Sequence, residues 1–276
     1  MIPAAFDYVR AESAEHAVRL LGEHGDEAKL LAGGHSLLPL MKLRLATPAV
    51  LIDVGRVREL SYVRDAGEHI AVGALTRHHD LERSELLEAE APLLRHVAGQ
   101  VGDPQVRHRG TIGGSVAHGD PASDLPAVLL AMRATLVAQG PTGAREIEVD
   151  DFFTGFLETA LAPDEVLTEV RLPKHTGARW SFQKFNRRAQ DWAVVGVACL
   201  QNTQTGIGLI NMGAVPMRAA ASEAAASSGA STADAAAVAD QGTDPSDDVS
   251  ASAGYRRHLV KVLTRRALEA VATTTS

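Results

Sequence analysis

The chain has 276 residues, a net charge of −7 and a single cysteine, Cys199. This length admits two domains and a sizeable core, and the acidic balance argues against a nucleic-acid partner, whose phosphates want a basic surface. One cysteine excludes an intrachain disulfide and any iron–sulfur cluster held by four cysteines of one copy. The opening "MIPAAFDYVRAES" lacks a basic n-region, and no apolar run approaches the roughly 18–20 residues of a membrane span, so the expected location is cytoplasmic.

In chain order, Ser13 caps a helix whose apolar positions Ala17, Val18, Leu20 and Leu21 share one face, with Gly22 and Gly25 at its end. "AKLLA" reads as a strand, "LLPLMKLR" as a short helix tolerating Pro39 in its first turn, and "AVLID" as a second strand, giving a β-α-β opening. "HIAVGAL" is a further strand, after which Thr76 is expected to cap one helix through "RHHDLERSELL". His78 and His79 are adjacent, so on a helix they point about 100° apart. A solvated or capping role is expected for them, not a metal site. "APLLRHVAGQVG" and "DLPAVLLAMRA", the latter capped by Ser123, are helices, and "TLVAQ", "REIEV" and "EVLTEVRL" are strands.

A boundary is expected near Pro173–Gly177. Beyond it "SFQKFN", "AVVGVACLQ" and "GIGLINMGAV" form three antiparallel strands, with Cys199 buried in the second. The Ala- and Ser-rich stretch 219–253 suits short helices joined by a mobile loop at "DQGTDPSDD". "YRRHLVKVLTRRALEAV" is an amphipathic helix with Leu259, Val262, Leu263 and Leu268 on its apolar face and Arg and Lys opposite.

Two segments carry the chemistry. "LAGGHSLLP" begins at Leu31, and "TIGGSVAHGDPASDLP" begins at Thr111. Each sets a Gly-Gly pair before a serine, Ser36 or Ser115. Glycine accepts positive φ and has no Cβ to block a ligand, so backbone N–H groups can converge on an anion beside a helix start. Two such turns would grip a pyrophosphate from two sides, which suggests a dinucleotide. No G-x-G-x-x-G stands between a strand and a helix. "GIGLIN" has its first two glycines, with Asn211 in the place of the third.

The segments "AGGHSLLPLMKLRLATP", "RHRGTIGGSVAHGDPASDLPAVLLAM", "FFTGFLETALAPDEVLTEVRLP" and "KFNRRAQDWAVVGVA", in that order, resemble the FAD-binding medium subunit of molybdenum hydroxylases, above all the carbon monoxide dehydrogenase type. The resemblance implies an α+β chain. Residues 1–175 would form a two-part FAD-binding domain (1–55 and 56–175) of the vanillyl-alcohol oxidase or para-cresol methylhydroxylase type. Residues 176–276 would form a flavin-covering α/β domain with a three-stranded antiparallel sheet and helices. It also implies that Ala32, Gly33, Gly34, His35, Ser36 and Leu37, with Thr111, Ile112, Gly113, Gly114 and Ser115, hold a non-covalent FAD. Asp124 matches the family carboxylate on the ribityl side, and Lys184 and Trp192 match positions near the flavin. Catalytic residues and bound metals are expected in none of this chain. The molybdenum cofactor and two [2Fe-2S] clusters would sit on a large and a small partner subunit, in a dimer of heterotrimers, with peripheral membrane association left open. Arg107 and Arg109 are candidate contacts for the small subunit or the pyrophosphate. The rival reading is a self-sufficient flavin oxidase, in some of which a histidine like His35 bonds the flavin covalently.

Overall fold

The computed structural model describes residues 2–273. The chain opens with β1 (Asp7–Arg10), α1 (Ala14–His24), β2 (Ala28–Leu31), α2 (Leu37–Lys42) and β3 (Val50–Asp53). The three strands form a parallel sheet in the order β1-β3-β2. Ser13 Oγ accepts from the His16 N–H and starts α1, whose Ala17, Val18, Leu20 and Leu21 pack on Val50 and Ile52. β1 is an addition to the sequence reading. Its alternation is weak, and it exists because Asp7 to Arg10 register against Val50 to Asp53.

Next come β4 (Val63–Asp65), β5 (His69–Gly73), α3 (His78–Glu82), α4 (Glu85–Glu90), α5 (Pro92–Ala98), α6 (Pro104–Arg107), α7 (Ile112–His118) and α8 (Asp124–Met132). They are followed by β6 (Thr135–Gly140), β7 (Gly143–Glu148), β8 (Phe153–Gly155), β9 (Glu158–Thr159) and β10 (Val166–Pro173). An antiparallel sheet runs β4-β5-β10-β6-β7, and β8 and β9 form a hairpin. Thr76 does not cap a helix. Its buried hydroxyl is held by both backbone groups of Tyr62, 3.0 Å from N and 2.9 Å from O. The expected single helix breaks after Glu82, and Ser84 caps a second one by accepting from the Leu87 N–H.

The last part comprises β11 (Arg179–Phe185), β12 (Val195–Gln201), β13 (Thr205–Ile210), β14 (Met217–Arg218), α9 (Ala220–Ser227), α10 (Thr232–Ala237) and α11 (Ala253–Thr273). The three expected antiparallel strands are joined by a fourth, the two-residue β14 at the edge. This sheet is covered on both faces. Val195, Val197 and Cys199 of β12 pack with α11, while Ala198 and Leu200 join the core around α8, as the period of two dictates. Every residue of α8 is buried, and after Asp124 the helix is apolar all round. A Cβ on Gly206 or Gly208 would stand 2.0 or 1.8 Å from the carbonyl oxygens of Ala131 and Ala127. Those glycines let β13 lie on α8, which explains the incomplete "GIGLIN" motif. Asn211 ends the strand at φ 63°.

Two expectations about the C-terminal region are corrected. The 240–248 loop is tied down: Pro245 is buried, Asp244 N–H donates to Met212 O, and Asp240 and Asp248 pair with Lys261 and Arg256 of α11. On α11 the apolar face uses Val260, with Val262 only half-buried, and Arg256 is buried rather than opposite, donating to Val194 O as well as to Asp248. Among the described residues no helix is long and apolar enough to cross a membrane.

Candidate cofactor-binding cleft

A cleft of about 920 Å³ runs between the β2–α2 loop, α7, the β8–β9 hairpin and the edge of the C-terminal sheet. Its lining includes Ala32, Gly33, Gly34, His35, Ser36 and Leu37 on one wall, Thr111, Gly113, Gly114 and Ser115 on another, and Asp124, Lys184 and Trp192 farther along. Of the residues expected at the site, Ile112 alone is not brought to the surface of the cleft. Its side chain is fully buried in the core and its N–H donates to Thr76 O.

The two glycine segments touch each other. A Cβ on Gly33 would lie 2.4 Å from Arg109 O and 2.9 Å from Gly110 Cα. Gly33 is therefore the point where the two walls cross, backbone on backbone, and it is glycine for that contact rather than for the ligand. Gly34, at φ 79°, supplies the left-handed bend. Among the described residues, the N–H groups of Gly33, Gly34, His35 and Ser36 make no hydrogen bond. Four successive unpaired donors lining one concavity form a cradle for an anion.

The second segment works differently from the expected turn. Gly113 and Gly114 stand in the first turn of α7, capped by Thr111, whose Oγ1 accepts from Gly114 N–H at 3.1 Å. The N–H groups of Ile112, Gly113 and Ser115 are taken by Thr76 O, Ala74 O and Thr111 O, so only the Thr111 N–H remains unpaired in this stretch. What this wall presents is Gly114 without a side chain, and the hydroxyl of Ser115. Gly113 is required for packing, since a Cβ would come within 2.5 Å of Ala74 Cβ.

Behind Ser115 stands His78, which corrects the solvated role expected for it: it is 2 % exposed. Its Nε2 is 3.3 Å from Ser115 Oγ, and its Nδ1 is buried with no partner. Burial, reinforced by the charges of Arg77, His35 and Arg107, pushes its imidazole down to about 4, so it is neutral at physiological pH. His79 faces away and stacks on His108. Farther along, Asp124 at the start of α8 meets Lys184 of β11 at 2.7 Å, both almost wholly buried. Burial pushes the Asp124 carboxyl up, and the Lys184 ammonium opposes that. The lysine occupies Oδ2, while Oδ1 is buried without a hydrogen-bond partner.

Trp192 is 57 % exposed at the rim, so it is not a core indole. Arg107 is not a free surface cation: it pairs with Glu82 and donates to the carbonyls of Val101 and Gly102. Arg109 is exposed, and its carbonyl accepts from Arg77. Sequence reasoning missed His78 and the β8–β9 hairpin, whose Leu157 and Thr159 line the cleft. The turn marker Gly155 was a usable signal for the hairpin. For His78 the signal was its place soon after the apolar run "HIAVGAL".

A family model described as the FAD binding domain in molybdopterin dehydrogenase matches residues 4–175, and one described as the CO dehydrogenase flavoprotein C-terminal domain matches residues 180–271. The carbon monoxide dehydrogenase medium chain of Hydrogenophaga pseudoflava is 40 % identical over 281 residues, covering 98 % of each chain. The 6-hydroxypseudooxynicotine dehydrogenase complex subunit alpha of Paenarthrobacter nicotinovorans is 38 % identical over 280 residues, 97 % of this chain and 95 % of that one. A solved carbon monoxide dehydrogenase from Hydrogenophaga pseudoflava, described as lacking the Mo-pyranopterin moiety of the molybdenum cofactor, contains a chain that superposes with a TM-score of 0.95 at 41 % identity over 99 % of both chains.

Proposed function

The chain belongs to the FAD-binding medium chains of molybdenum hydroxylases of the carbon monoxide dehydrogenase type, and on that premise we propose how its cleft holds the flavin and what it exchanges with its partners. It is a flavoprotein oxidoreductase subunit of a multi-subunit complex. The unpaired N–H groups from Gly33 to Ser36 carry the reading: a diphosphate supplies the acceptors they lack, and Ser36 and Ser115 add hydroxyl donors. Ala32 and Leu37 flank that cradle. Thr111 adds its unpaired N–H, and Ile112 and Gly113 hold α7 in place from behind. Asp124 Oδ1 accepts from a ribityl hydroxyl, which pairs an otherwise orphaned buried oxygen. Lys184 keeps that carboxylate oriented, and Trp192 shields the rim.

When bound, FAD supplies a carrier that accepts electrons singly or in pairs. This chain's residues bind and orient it, non-covalently, with His35 as a loop residue beside the phosphates. No general base here acts on the organic substrate or carbon monoxide. Substrate oxidation belongs to a large subunit with the molybdenum cofactor, and two [2Fe-2S] clusters to a small subunit. Cys199 is fully buried, with its thiol pushed up to about 12 by burial, and serves neither. Arg109 is the better contact for the small subunit, since Arg107 is committed to Glu82. The finer assembly follows the same family logic: residues 1–175 (1–55 and 56–175) as the flavin domain, 176–276 as its cover, a dimer of heterotrimers, and a cytoplasmic setting with any membrane contact peripheral.

The test compares the isolated FAD-loaded chain with the reconstituted complex, following flavin absorbance anaerobically after adding substrate. Bleaching is expected in the complex alone. Efficient bleaching in the isolated chain would promote the self-sufficient oxidase.

A further inference from the structure

His78 is the one buried histidine on the cleft wall whose contacts leave a ring nitrogen unpaired. It is clamped in place: its N–H donates to Gly110 O at 3.1 Å, and a Cβ on Gly110 would sit 2.7 Å from its Cδ2. Its only side-chain partner is Ser115 Oγ at 3.3 Å. A neutral imidazole carries one proton, and the two tautomers differ in consequence. With the proton on Nδ1, a buried N–H would have no acceptor and Ser115 would spend its hydroxyl hydrogen on Nε2. With the proton on Nε2, the ring donates to Ser115 Oγ and leaves only a bare acceptor unpaired, the milder fault, because orphaned buried N–H groups are the rarer case.

Building on the flavin reading above, we propose that His78 is a positioning residue for the diphosphate of the cofactor: its Nε2–H donates to Ser115 Oγ, which turns the Ser115 hydroxyl hydrogen into the cleft as a donor to a phosphate oxygen. Among the described residues, Ser115 Oγ makes no hydrogen bond to a carbonyl of its own helix, so the His78 ring is the group that orients it. His78 thus sets the polarity of a side-chain donor on a wall where the N–H groups of Ile112, Gly113, Gly114 and Ser115 are all occupied.

The test measures FAD affinity of the full-length, flavin-stripped chain by fluorescence titration, beside thermal unfolding without flavin. Losing one hydrogen bond to a charged phosphate is expected to weaken FAD binding about tenfold in both H78L and S115A. The double variant is expected to lose no more than either single one, since both act through the same Ser115 hydroxyl. H78Q, whose amide donates from the place of Nε2, is expected to restore affinity, a rescue that mere filling of space would not produce. S115A alters a half-buried hydroxyl and keeps the test independent of how H78L folds. S115A or H78L at wild-type affinity, additive losses in the double variant, or failure of H78Q to rescue would each overturn the proposal while leaving the flavin site standing. A wild-type chain that takes up no FAD would overturn the flavin reading itself, and this inference with it.

Discussion

Gly113 and Gly114 are chain neighbours with opposite surroundings, and that difference is testable. A methyl group at Gly113 meets Ala74 Cβ at 2.5 Å and Ala74 O at 2.7 Å, whereas at Gly114 it meets only Thr111 Oγ1, at 2.8 Å, and otherwise the cleft. G113A is therefore expected to destabilise the flavin-free chain by about 1–3 kcal/mol through overpacking. G114V is expected to cost about 1 kcal/mol, from disturbing the Thr111 cap, yet to abolish FAD uptake by filling the cofactor's space. Thermal unfolding of the flavin-free variants and FAD titration separate the two; matching effects of both variants on both readouts would contradict this division. The glycine pairs were legible in the sequence, but their conformations were not. Of the four glycines only Gly34 is left-handed. Gly33 and Gly113 are small because Arg109 and Ala74, each dozens of residues away, press against them, and no local pattern announces such contacts.

Among elements, α8 and β11 are joined where the cleft meets the C-terminal sheet. The Asp124–Lys184 pair is nearly solvent-free, so removing one partner leaves an uncompensated buried charge. K184M is expected to cost about 3–5 kcal/mol. Burial already pushes the Asp124 carboxyl up, and without the ammonium it rises further. The loss should then be largest at mildly alkaline pH and shrink toward acid pH as Asp124 takes up a proton and no longer buries a charge. Denaturant unfolding across pH checks this, and a penalty that grows as the pH falls would contradict it. The longer elements were readable from pattern alone: α1 from its apolar face and Ser13 cap, and α8 from its unbroken apolar run. The strands that escaped, β1, β4, β8, β9 and β14, are two to four residues long. β1 is a strand because β3, far along the chain, sets its register, and the others pair with near neighbours over runs too short to show a period of two. Arg256 escaped for a related reason, since its buried place depends on Val194 O and Asp248 rather than on helical periodicity.

At the scale of the molecule, three main sheets converge so that loops from the first, a helix beside the second and the edge of the third share one cleft. The family resemblance carried by the glycine segments implied that convergence, with Asp124 and Lys184 beside them, before any fold was drawn. What the sequence did not reveal is the asymmetry between the walls, one offering free backbone donors and the other a hydroxyl oriented by a buried histidine. The central claim is that this cleft exists to hold one flavin, reversibly. The measurement that tests it most directly is the flavin content of the purified chain, alone or in its complex, after saturation with FAD, removal of excess and acid denaturation. About one FAD per chain, released intact into the supernatant, is the expected result. A colourless chain that takes up no FAD would contradict the account at its centre, and flavin that stays with the denatured polypeptide would contradict its non-covalent hold and point to His35.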